Sequence, residues 1–251
     1  MTPLWSLISG DKPCLTISLI IPAHNEEKYI WACLEYILRH ADGHIHEIIV
    51  IDNASTDTTK KIAEQYPGVK VITEHTKGLT VARQRGYKES TGDILAFVDA
   101  DTRMPAWWAK LIKDHFEWSQ NIWFVSGPYH YYDLPWYKQI GNWLYWRMLW
   151  YPTYLLTWYL WVGGNFAIKR SVLDTIDGFD TNIVFYGEDT DIARRASKCC
   201  TTKFTLHLVM PTSARRFVGE GLIKTGYTYV VNFLSQAIFH RSATKTYKDF
   251  R

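Results

Sequence analysis

The 251-residue sequence has few cysteines, little excess charge and no basic, apolar leader at its start. The cysteines, Cys14, Cys33, Cys199 and Cys200, lack Cys-x-x-Cys spacing and neighbouring paired histidines, so we expect no zinc site and no disulfide framework. A net charge of +3 with scattered basic residues argues against nucleic-acid binding. Residues 1–13 show neither a basic start nor a continuous apolar stretch, which predicts no signal peptide and a cytoplasmic protein in a reducing compartment.

Aromatic residues are in excess: they make up 16% of the chain and include 12 Trp. Six of these fall in the segment 135–162: Trp136, Trp143, Trp146, Trp150, Trp158 and Trp161. Lys138 and Arg147 interrupt the segment, Pro152 breaks it, and the 15 residues 148–162 are fewer than the ~20 that span a membrane. A transmembrane helix is therefore excluded. Two uses stay open: contact with a membrane surface, or packing in the core or against a second copy of the chain.

Apolar runs of strand length alternate with helical patterns through the first half of the chain. The predicted strands are 15–21, 47–51, 69–73, 94–98 and 122–126, and the helices between them include 56–66 and 81–89. This alternation predicts an α/β fold with a mostly parallel, Rossmann-like sheet sandwiched by helices. Ligands of such sheets bind beyond the carboxyl ends of the strands.

Three polar clusters stand at the predicted strand ends: 22–27, 52–57 and 99–101. Because side chains alternate in an extended segment, the carboxylates of Asp99 and Asp101 should point the same way. They would repel each other unless a cation lies between them, and hard oxygen ligands of this kind suit Mg2+ or Mn2+. An isolated Asp-x-Asp is more often a solvated turn, but the convergence of three clusters at one sheet edge favours a binding site.

Two charged motifs mark the second half of the chain. Glu188 and Asp189 open a predicted helix that ends in basic residues, a pattern that the helix dipole favours and that is therefore partly structural. A carboxylate in this position is also a candidate general base. Arg215 and Arg216 lie in a predicted loop, where a guanidinium group could clamp an anionic group. A solvated basic turn has the same pattern.

Together, five segments in a fixed order resemble the family 2 glycosyltransferases, which have the GT-A fold. The segments are 20–27 (IIPAHNEE), 50–57 (VIDNASTD), Gly78 with Ala82 and Arg83, 99–101 (DAD) and 187–189 (GED). The resemblance covers about residues 15–200. The sequence departs from the family pattern at His24, where an aromatic residue is more frequent, and at Gln84, where Asn is more frequent.

The resemblance implies a single GT-A domain over residues 1–251 with two ligand-binding parts. Residues from about 15 to 130 would bind a nucleotide-sugar donor, and residues from about 131 to 251, with the aromatic segment 135–162 and a C-terminal helix, would bind the acceptor. The implied donor contacts are Pro22, Ala23, His24, Glu26, Asp52, Arg83, Asp99, Ala100, Arg215 and Arg216. Asp101, with help from Asp99, would hold Mn2+ or Mg2+, which stabilises the leaving diphosphate.

The resemblance also implies the chemistry. Asp189 would remove the proton of the acceptor hydroxyl group while Glu188 orients it or binds the acceptor, in a single displacement with inversion. The acceptor would be a glycan or a lipid-linked molecule, and in the second case the enzyme would lie at the inner face of the plasma membrane. A homo-oligomer stays open. The competing hypothesis is a non-catalytic sugar- or membrane-binding module of the same fold.

Overall fold

The computed structural model describes residues 15–41, 43–119, 121–158, 160–183, 187–239 and 243–244. The leader prediction for residues 1–13 and the residue Cys14 lie outside these ranges. The described strands are β1 Ile17–Ala23, β2 Glu47–Asn53, β3 Val69–Glu74, β4 Ile94–Val98, β5 Ile122–Ser126, β6 Tyr129–Tyr131, β7 Asn165–Lys169, β8 Thr201–Phe204 and β9 Met210–Thr212. The described helices are α1 Ile30–His40, α2 Thr59–Ala63, α3 Leu79–Glu89, α4 Trp108–Trp118, α5 Trp136–Leu144, α6 Tyr151–Thr157, α7 Arg170–Thr175, α8 Glu188–Ser197, α9 Arg215–Glu220 and α10 Leu222–Phe239. A π-helical turn, Tyr145–Trp150, joins α5 to α6.

Seven of the described strands form one sheet in the order β3-β2-β1-β4-β7-β5-β8, and β6 pairs with β9 in a separate sheet. Strands β1 to β4 are parallel, whereas β7 is antiparallel to both of its neighbours, β4 and β5. The register pairs Ala23 of β1 with Asp52 of β2, so the carboxyl ends of these strands lie side by side. The sheet is thus the predicted one, mostly parallel and flanked by helices.

Helices cover both faces of the sheet because its central strands are apolar on both sides. Leu19 and Ile21 of β1 pack in the core cluster that contains α1 and α4, whereas Ile20 between them packs in the cluster with α3, α7 and α8. Every residue of β4 is buried. Apolar residues at successive strand positions are typical of a parallel sheet between two helical layers.

The predicted strands agree with the structure to within two residues at each end. The helix predicted over 56–66 is shorter, since α2 spans Thr59–Ala63. Oδ1 of Asp57 accepts hydrogen bonds from the backbone N–H of Thr59 (2.9 Å) and from its hydroxyl group (2.6 Å). This local turn satisfies the backbone N–H of Thr59 without a preceding helical turn, which explains the later start.

Strand β7, which no pattern in the sequence predicts, inserts between β4 and β5 and begins at the buried residue Asn165. Oδ1 of Asn165 accepts a hydrogen bond from the indole N–H of Trp108 (2.9 Å). Its Nδ2 lies within hydrogen-bond distance of three carbonyl oxygens, those of Gly127 (2.9 Å), Pro128 (3.2 Å) and Leu208 (2.6 Å). One side chain therefore ties α4, β7 and two connecting segments together beside the sheet.

The aromatic segment forms α5, the π-helical turn, α6 and the chain that leads to β7. Three of its Trp are 5% to 8% exposed, namely Trp146, Trp150 and Trp161. The other three are 52% to 76% exposed, namely Trp136, Trp143 and Trp158. Among the described helices, none combines the length and the apolar character needed to cross a bilayer. The segment is thus partly core and partly apolar surface.

The hydrogen bonds of Asn165 give a test of the fold. We expect Asn165→Ala to lower the free energy of unfolding by at least about 3 kcal/mol, because it leaves several buried polar groups without partners at about 1–3 kcal/mol each. Urea denaturation followed by tryptophan fluorescence measures this change. Asn182→Ala is the matched control, since Asn182 is exposed and bonds the exposed Asp180. A loss for Asn165→Ala no larger than that of the control would contradict the anchoring role.

Candidate active site

A cavity of about 230 Å³ lies beyond the carboxyl ends of β1 and β4, where an α/β sheet favours ligand binding. The fold brings most of the predicted site residues to its wall: Pro22, Glu26, Arg83, Asp99, Ala100, Asp101, Glu188, Asp189, Arg215 and Arg216. Ala23, His24 and Asp52 do not line it. Segments far apart in the sequence therefore meet at one place.

Asp99 and Asp101 lie in the turn after β4 rather than in an extended strand, so strand alternation is not the reason that both reach the cavity. Oδ2 of Asp99 accepts a hydrogen bond from the hydroxyl group of Tyr129 (2.8 Å). Oδ1 of Asp101 accepts one from the hydroxyl group of Thr212 (3.1 Å), and its Oδ2 pairs with Nε of Arg215 (2.9 Å). Burial raises the pKa of Asp101 to about 7, against the opposing effect of the Arg215 charge.

Arg215 and Arg216 begin helix α9, which corrects the prediction of a loop at these residues. The reason lies in Asp133, whose carboxylate accepts hydrogen bonds from the hydroxyl group of Ser213 (2.6 Å) and the backbone N–H of Ala214 (2.8 Å). These bonds fix the turn that precedes the helix. A contact between residues this far apart in the sequence leaves no local signal.

The guanidinium group of Arg215 lies between two carboxylates. Its Nη1 and Nη2 bind Oε2 and Oε1 of Glu26 at 2.7 and 2.6 Å, and its Nε binds Asp101. The ring of Tyr29 lies 4.6 Å from its central carbon. A bidentate pair of this kind is among the stronger charge-assisted contacts. Arg215 thus joins the loop after β1, the turn after β4 and the start of α9.

Arg83 of α3 links the two carboxylate pairs that the sequence analysis identified. Its side chain is 1% exposed. Nη1 lies 2.5 Å from Oε2 of Glu188, and Nη2 lies 2.5 Å from the carbonyl oxygen of Gly163 and 3.7 Å from Oδ1 of Asp99. The carboxylates of Asp99 and Glu188 thus share the positive charge of one guanidinium group.

Glu188 and Asp189 occupy the first turn of α8. Burial raises the pKa of Glu188 to about 7, against the lowering effect of the neighbouring Arg83 charge. Burial also raises the pKa of Asp189, whose Oδ1 accepts a hydrogen bond from the backbone N–H of Thr190 (2.8 Å). A carboxylate whose pKa is raised toward neutrality is a stronger proton acceptor than a solvated one.

The three predicted residues outside the cavity wall lie beside it at the ends of β1 and β2. His24 is buried, and its Nδ1 lies 2.6 Å from the carbonyl oxygen of Asn53. Ala23 and Asp52 are paired in the sheet. Oδ1 of Asp52 is buried and has no hydrogen-bond partner among the described residues.

The cavity wall also contains residues that no sequence motif identified. Tyr129 binds Asp99, and the aromatic wall includes Tyr145, Trp146, Trp150 and Trp161. The density of Trp in 135–162 was a signal for this wall, but composition does not separate the buried Trp from the exposed ones. The π-helical turn carries three of these four wall residues, and such turns are frequent at functional sites.

The oxygen atoms in the cavity fit a divalent cation that binds together with a phosphate ligand. Within the described ranges, no three His, Cys, Asp or Glu side chains are grouped so that they alone could hold a metal ion. Asp101 and Asp99 supply hard carboxylate oxygens, and the Arg215 guanidinium beside Asp101 shows that this position accommodates positive charge. Mg2+ is usually held by one or two carboxylates together with substrate phosphates and water.

Known proteins are similar to this chain in sequence and in fold. The family model Glycosyl transferase family 2 matches residues 18–177, well over half of the chain. The chain is similar to Glycosyltransferase AglE of Haloferax volcanii, with 37% identity over 91 residues, which cover 34% of this chain and 30% of that protein. The first curated relatives that it matches are longer: the matched parts cover between 13% and 49% of their length.

Solved structures of the same fold include two with bound nucleotides. The mannosyltransferase PcManGT from Pyrobaculum calidifontis, in complex with GDP-Man and Mn2+, has a TM-score of 0.67 at 20% identity and covers 91% of this chain and 65% of its own. Glucosyl-3-phosphoglycerate synthase from Mycobacterium tuberculosis, in complex with Mn2+, UDP and phosphoglyceric acid, has a TM-score of 0.63 at 21% identity and covers 89% and 79%. At this identity the likeness shows the GT-A fold.

The raised pKa of Glu188 predicts a pH dependence of stability. Because burial raises this pKa from 4.5 to about 7, the folded chain keeps a proton that the unfolded chain releases, so Glu188 makes the free energy of unfolding fall as the pH rises through that range. We expect Glu188→Gln to show a smaller fall, measured by urea denaturation at several pH values. Glu89→Gln, which removes a surface ion pair with Arg85, should behave as the wild type does. Equal pH profiles for wild type and Glu188→Gln would show that Glu188 does not titrate in this range.

Proposed function

The chain belongs to glycosyl transferase family 2, and we propose that it moves a sugar from a nucleotide-sugar donor to a hydroxyl group of a glycan or lipid-linked acceptor, with a divalent cation and with inversion at the anomeric carbon. One observation carries the proposal: the pair Asp99 and Asp101 and the pair Glu188 and Asp189 line the same cavity. Transfer needs both, because the leaving diphosphate requires positive charge and the acceptor hydroxyl requires a base.

On the donor side, Asp101 and Asp99 would hold the cation, which would stabilise the charge that grows on the leaving diphosphate. Arg215 and Arg216 line the same part of the cavity, and we assign their guanidinium groups to the phosphates. The contact of Arg215 with Asp101 supports this assignment, since it places a guanidinium group beside the carboxylate proposed to hold the cation, and the Arg215 side chain is 19% exposed, so a ligand can reach it.

The ends of β1 and β2 are assigned to the nucleoside. Oδ1 of Asp52 is a buried oxygen without a partner in the described part of the chain, and such an atom is costly unless a ligand N–H reaches it. We therefore assign Asp52 to an edge of the base. The neighbouring donor contacts that the family resemblance implies, which remain proposals, are Pro22, Ala23, His24, Glu26 and Ala100.

On the acceptor side, Asp189 takes the proton of the hydroxyl group as that group attacks the anomeric carbon. Its Oδ1 is held by the backbone N–H of Thr190, so the acceptor hydroxyl is assigned to Oδ2. Glu188 is held by Arg83 and keeps the first turn of α8 in place. A single displacement of this kind inverts the configuration of the anomeric carbon.

A non-catalytic sugar- or membrane-binding module of the same fold is the competing hypothesis. It shares the cavity and the family, and it differs from the enzyme in one measurable property, since a binding module takes up a sugar nucleotide without breaking it. Release of the nucleoside diphosphate in the presence of Mn2+ and of a panel of glycan and lipid-linked acceptors therefore separates the two.

Two single substitutions test the proposed roles. We expect Asp101→Asn to abolish the Mn2+-dependent rise in melting temperature that a matching UDP-, GDP- or dTDP-sugar causes, because a neutral amide is a poor ligand for a hard cation. We expect Asp189→Asn to keep that rise while the rate of nucleoside diphosphate release falls by roughly 10²- to 10⁴-fold, as loss of a general base does. Thermal shift and a diphosphate-release assay provide the two measurements.

Asp114→Asn is the control, because Asp114 pairs with Lys110 on the surface of α4 and should affect neither measurement. A Mn2+-dependent shift that survives in Asp101→Asn would exclude Asp101 as a ligand. If Glu188→Gln slows release more than Asp189→Asn does, the roles within the acidic pair are reversed. Binding by the wild type without release supports the non-catalytic module.

The exposed side of the aromatic segment is proposed to contact a membrane surface. Its exposed large apolar residues, among those described, are Trp136, Tyr137, Ile140, Trp143, Leu144, Met148, Leu149, Leu155, Leu156 and Trp158. The segment 134–162 contains no Asp or Glu, whereas Lys138 and Arg147 give it positive charge. Trp and Tyr favour the headgroup level of a bilayer, and basic residues favour anionic lipid such as that of a cytoplasmic leaflet. This location suits a lipid-linked acceptor.

Vesicle binding tests the membrane contact. We expect the wild-type chain to sediment with vesicles that contain phosphatidylserine, and a variant with Trp136, Trp143 and Trp158 replaced by Ser to lose this binding at an unchanged melting temperature, because these side chains are already exposed. Trp118→Ser, an exposed Trp on α4, should keep the binding. Absence of wild-type binding, together with a dimer that the triple variant dissociates, would instead assign the surface to self-association.

A further inference from the structure

We infer that Arg83 is a positioning residue that does not bind the nucleotide. It sets the separation between Asp99, which lies beside the proposed cation, and Glu188, which lies beside the proposed base. This inference rests on the function proposed above. It replaces the donor contact that the family resemblance implies for Arg83. The two roles differ measurably, since a positioning residue governs the rate of transfer whereas a donor contact governs donor affinity.

The burial of Arg83 supports the positioning role. Its side chain is among the largest fully buried ones of the described residues. The polar contacts of its Nη atoms are internal, to Glu188, Asp99 and the carbonyl oxygen of Gly163. The ring of Phe166 lies 5.7 Å from its central carbon. The Nη groups are therefore paired with protein atoms, whereas Nε has no hydrogen-bond partner among the described residues. The Arg83 side chain is 1% exposed against 19% for Arg215, so it offers a ligand almost no surface.

The charges explain why Arg83 and Glu188 stabilise each other. A lone guanidinium group in a buried site is strongly unfavourable, so Arg83 depends on the carboxylates that face it. Glu188 depends on Arg83 in turn, because burial disfavours the ionised form of Glu188 and the Arg83 charge opposes that effect. Each group thus stabilises the other in one position. Asp99 is held in addition by the hydroxyl group of Tyr129.

Two glycines before β7 are packed against the bridge that Arg83 forms between Asp99 and Glu188. A Cβ atom added at Gly163 would lie 2.7 Å from Oε1 of Glu188 and 3.2 Å from Nη2 of Arg83. One added at Gly164 would overlap the carboxylate of Asp99 and the hydroxyl group of Tyr129. Neither glycine has a φ in the left-handed region, so lack of space and not backbone conformation requires Gly at both positions.

The bridge connects the two sides of the reaction. Glu188 immediately precedes Asp189 in the first turn of α8, so a displaced Glu188 moves the base relative to the cavity. Asp99 lies in the turn that also carries Asp101. Because a displacement of about 1 Å in a reacting group can cost roughly 10²-fold in rate, a contact that sets this separation matters for turnover.

The test compares affinity with rate in a set of variants. Binding of UDP and of GDP, each with Mn2+, is measured by calorimetry. The rate constant kcat is measured as nucleoside diphosphate release from the sugar nucleotide that the wild type uses, in the presence of its acceptor. We expect Arg83→Met to lower kcat by roughly 10²-fold or more while the nucleotide Kd changes by less than about 3-fold. Arg83→Lys should recover part of kcat, because an ammonium group can pair with one of the carboxylates but cannot span both. Arg85→Met, on the surface of the same helix, is the control.

Gly163→Ala disturbs the bridge without removing a charge. Its added methyl group should displace Glu188 or Arg83, so it should also lower kcat at unchanged nucleotide affinity. Adding Glu188→Gln to Arg83→Met should raise the melting temperature above that of Arg83→Met alone, because the buried carboxylate then no longer lacks its partner. If Arg83→Met does not fold, Arg83→Lys and Gly163→Ala decide by the same criterion.

The inference is overturned if nucleotide affinity falls in step with kcat in Arg83→Lys or Gly163→Ala, since Arg83 would then bind the donor. It is also overturned if kcat stays at the wild-type value in both. A wild-type chain that releases no nucleoside diphosphate from any sugar nucleotide, with glycan and lipid-linked acceptors present, is a different result, because it refutes the proposed function itself and the inference with it.

Discussion

The acidic side chains at the cavity repel one another, and the rest of the site depends on how this repulsion is balanced. The acidic side chains that gather there include Glu26, Asp99, Asp101 and Glu188. In a buried site like charges repel strongly, and burial alone raises the pKa of a carboxyl group. Arg215 pairs with Glu26 and Asp101. Arg83 pairs with Asp99 and Glu188. The two guanidinium groups let several carboxylates stand within reach of one ligand.

The scaffold serves this arrangement by bringing distant segments to one edge of the sheet. Parallel strands place the residues after β1 and β4 side by side, and helices α3 and α8 carry Arg83 and Glu188 to the same place. The inserted strand β7 places Gly163 and Gly164 directly before its start, where the absence of side chains lets Arg83, Glu188 and Asp99 approach. Asn165 then anchors β7 to the neighbouring segments.

The aromatic segment shows how composition and position differ as signals. Both Trp146 and Trp143 belong to one dense run of aromatic residues, yet the first is buried at the cavity and the second is exposed. The π-helical turn changes the angle between successive side chains, so a helical period of 3.6 residues does not sort them. Burial here depends on packing against β8 and α10, which no local pattern records.

Local patterns determined much of this protein. Runs of apolar residues placed β1 to β5 to within two residues, and the polar clusters after them placed Asp99 and Asp101 at the cavity, because strand periodicity and turn chemistry act over a few neighbouring residues. Tertiary structure alone decided the antiparallel insertion of β7, the start of α9 at Arg215 and the bridge that Arg83 forms. Each of these features depends on residues that are distant in the chain and whose charges or carbonyl groups meet only after folding. The interactions that stabilise them therefore leave no pattern in a short stretch of sequence.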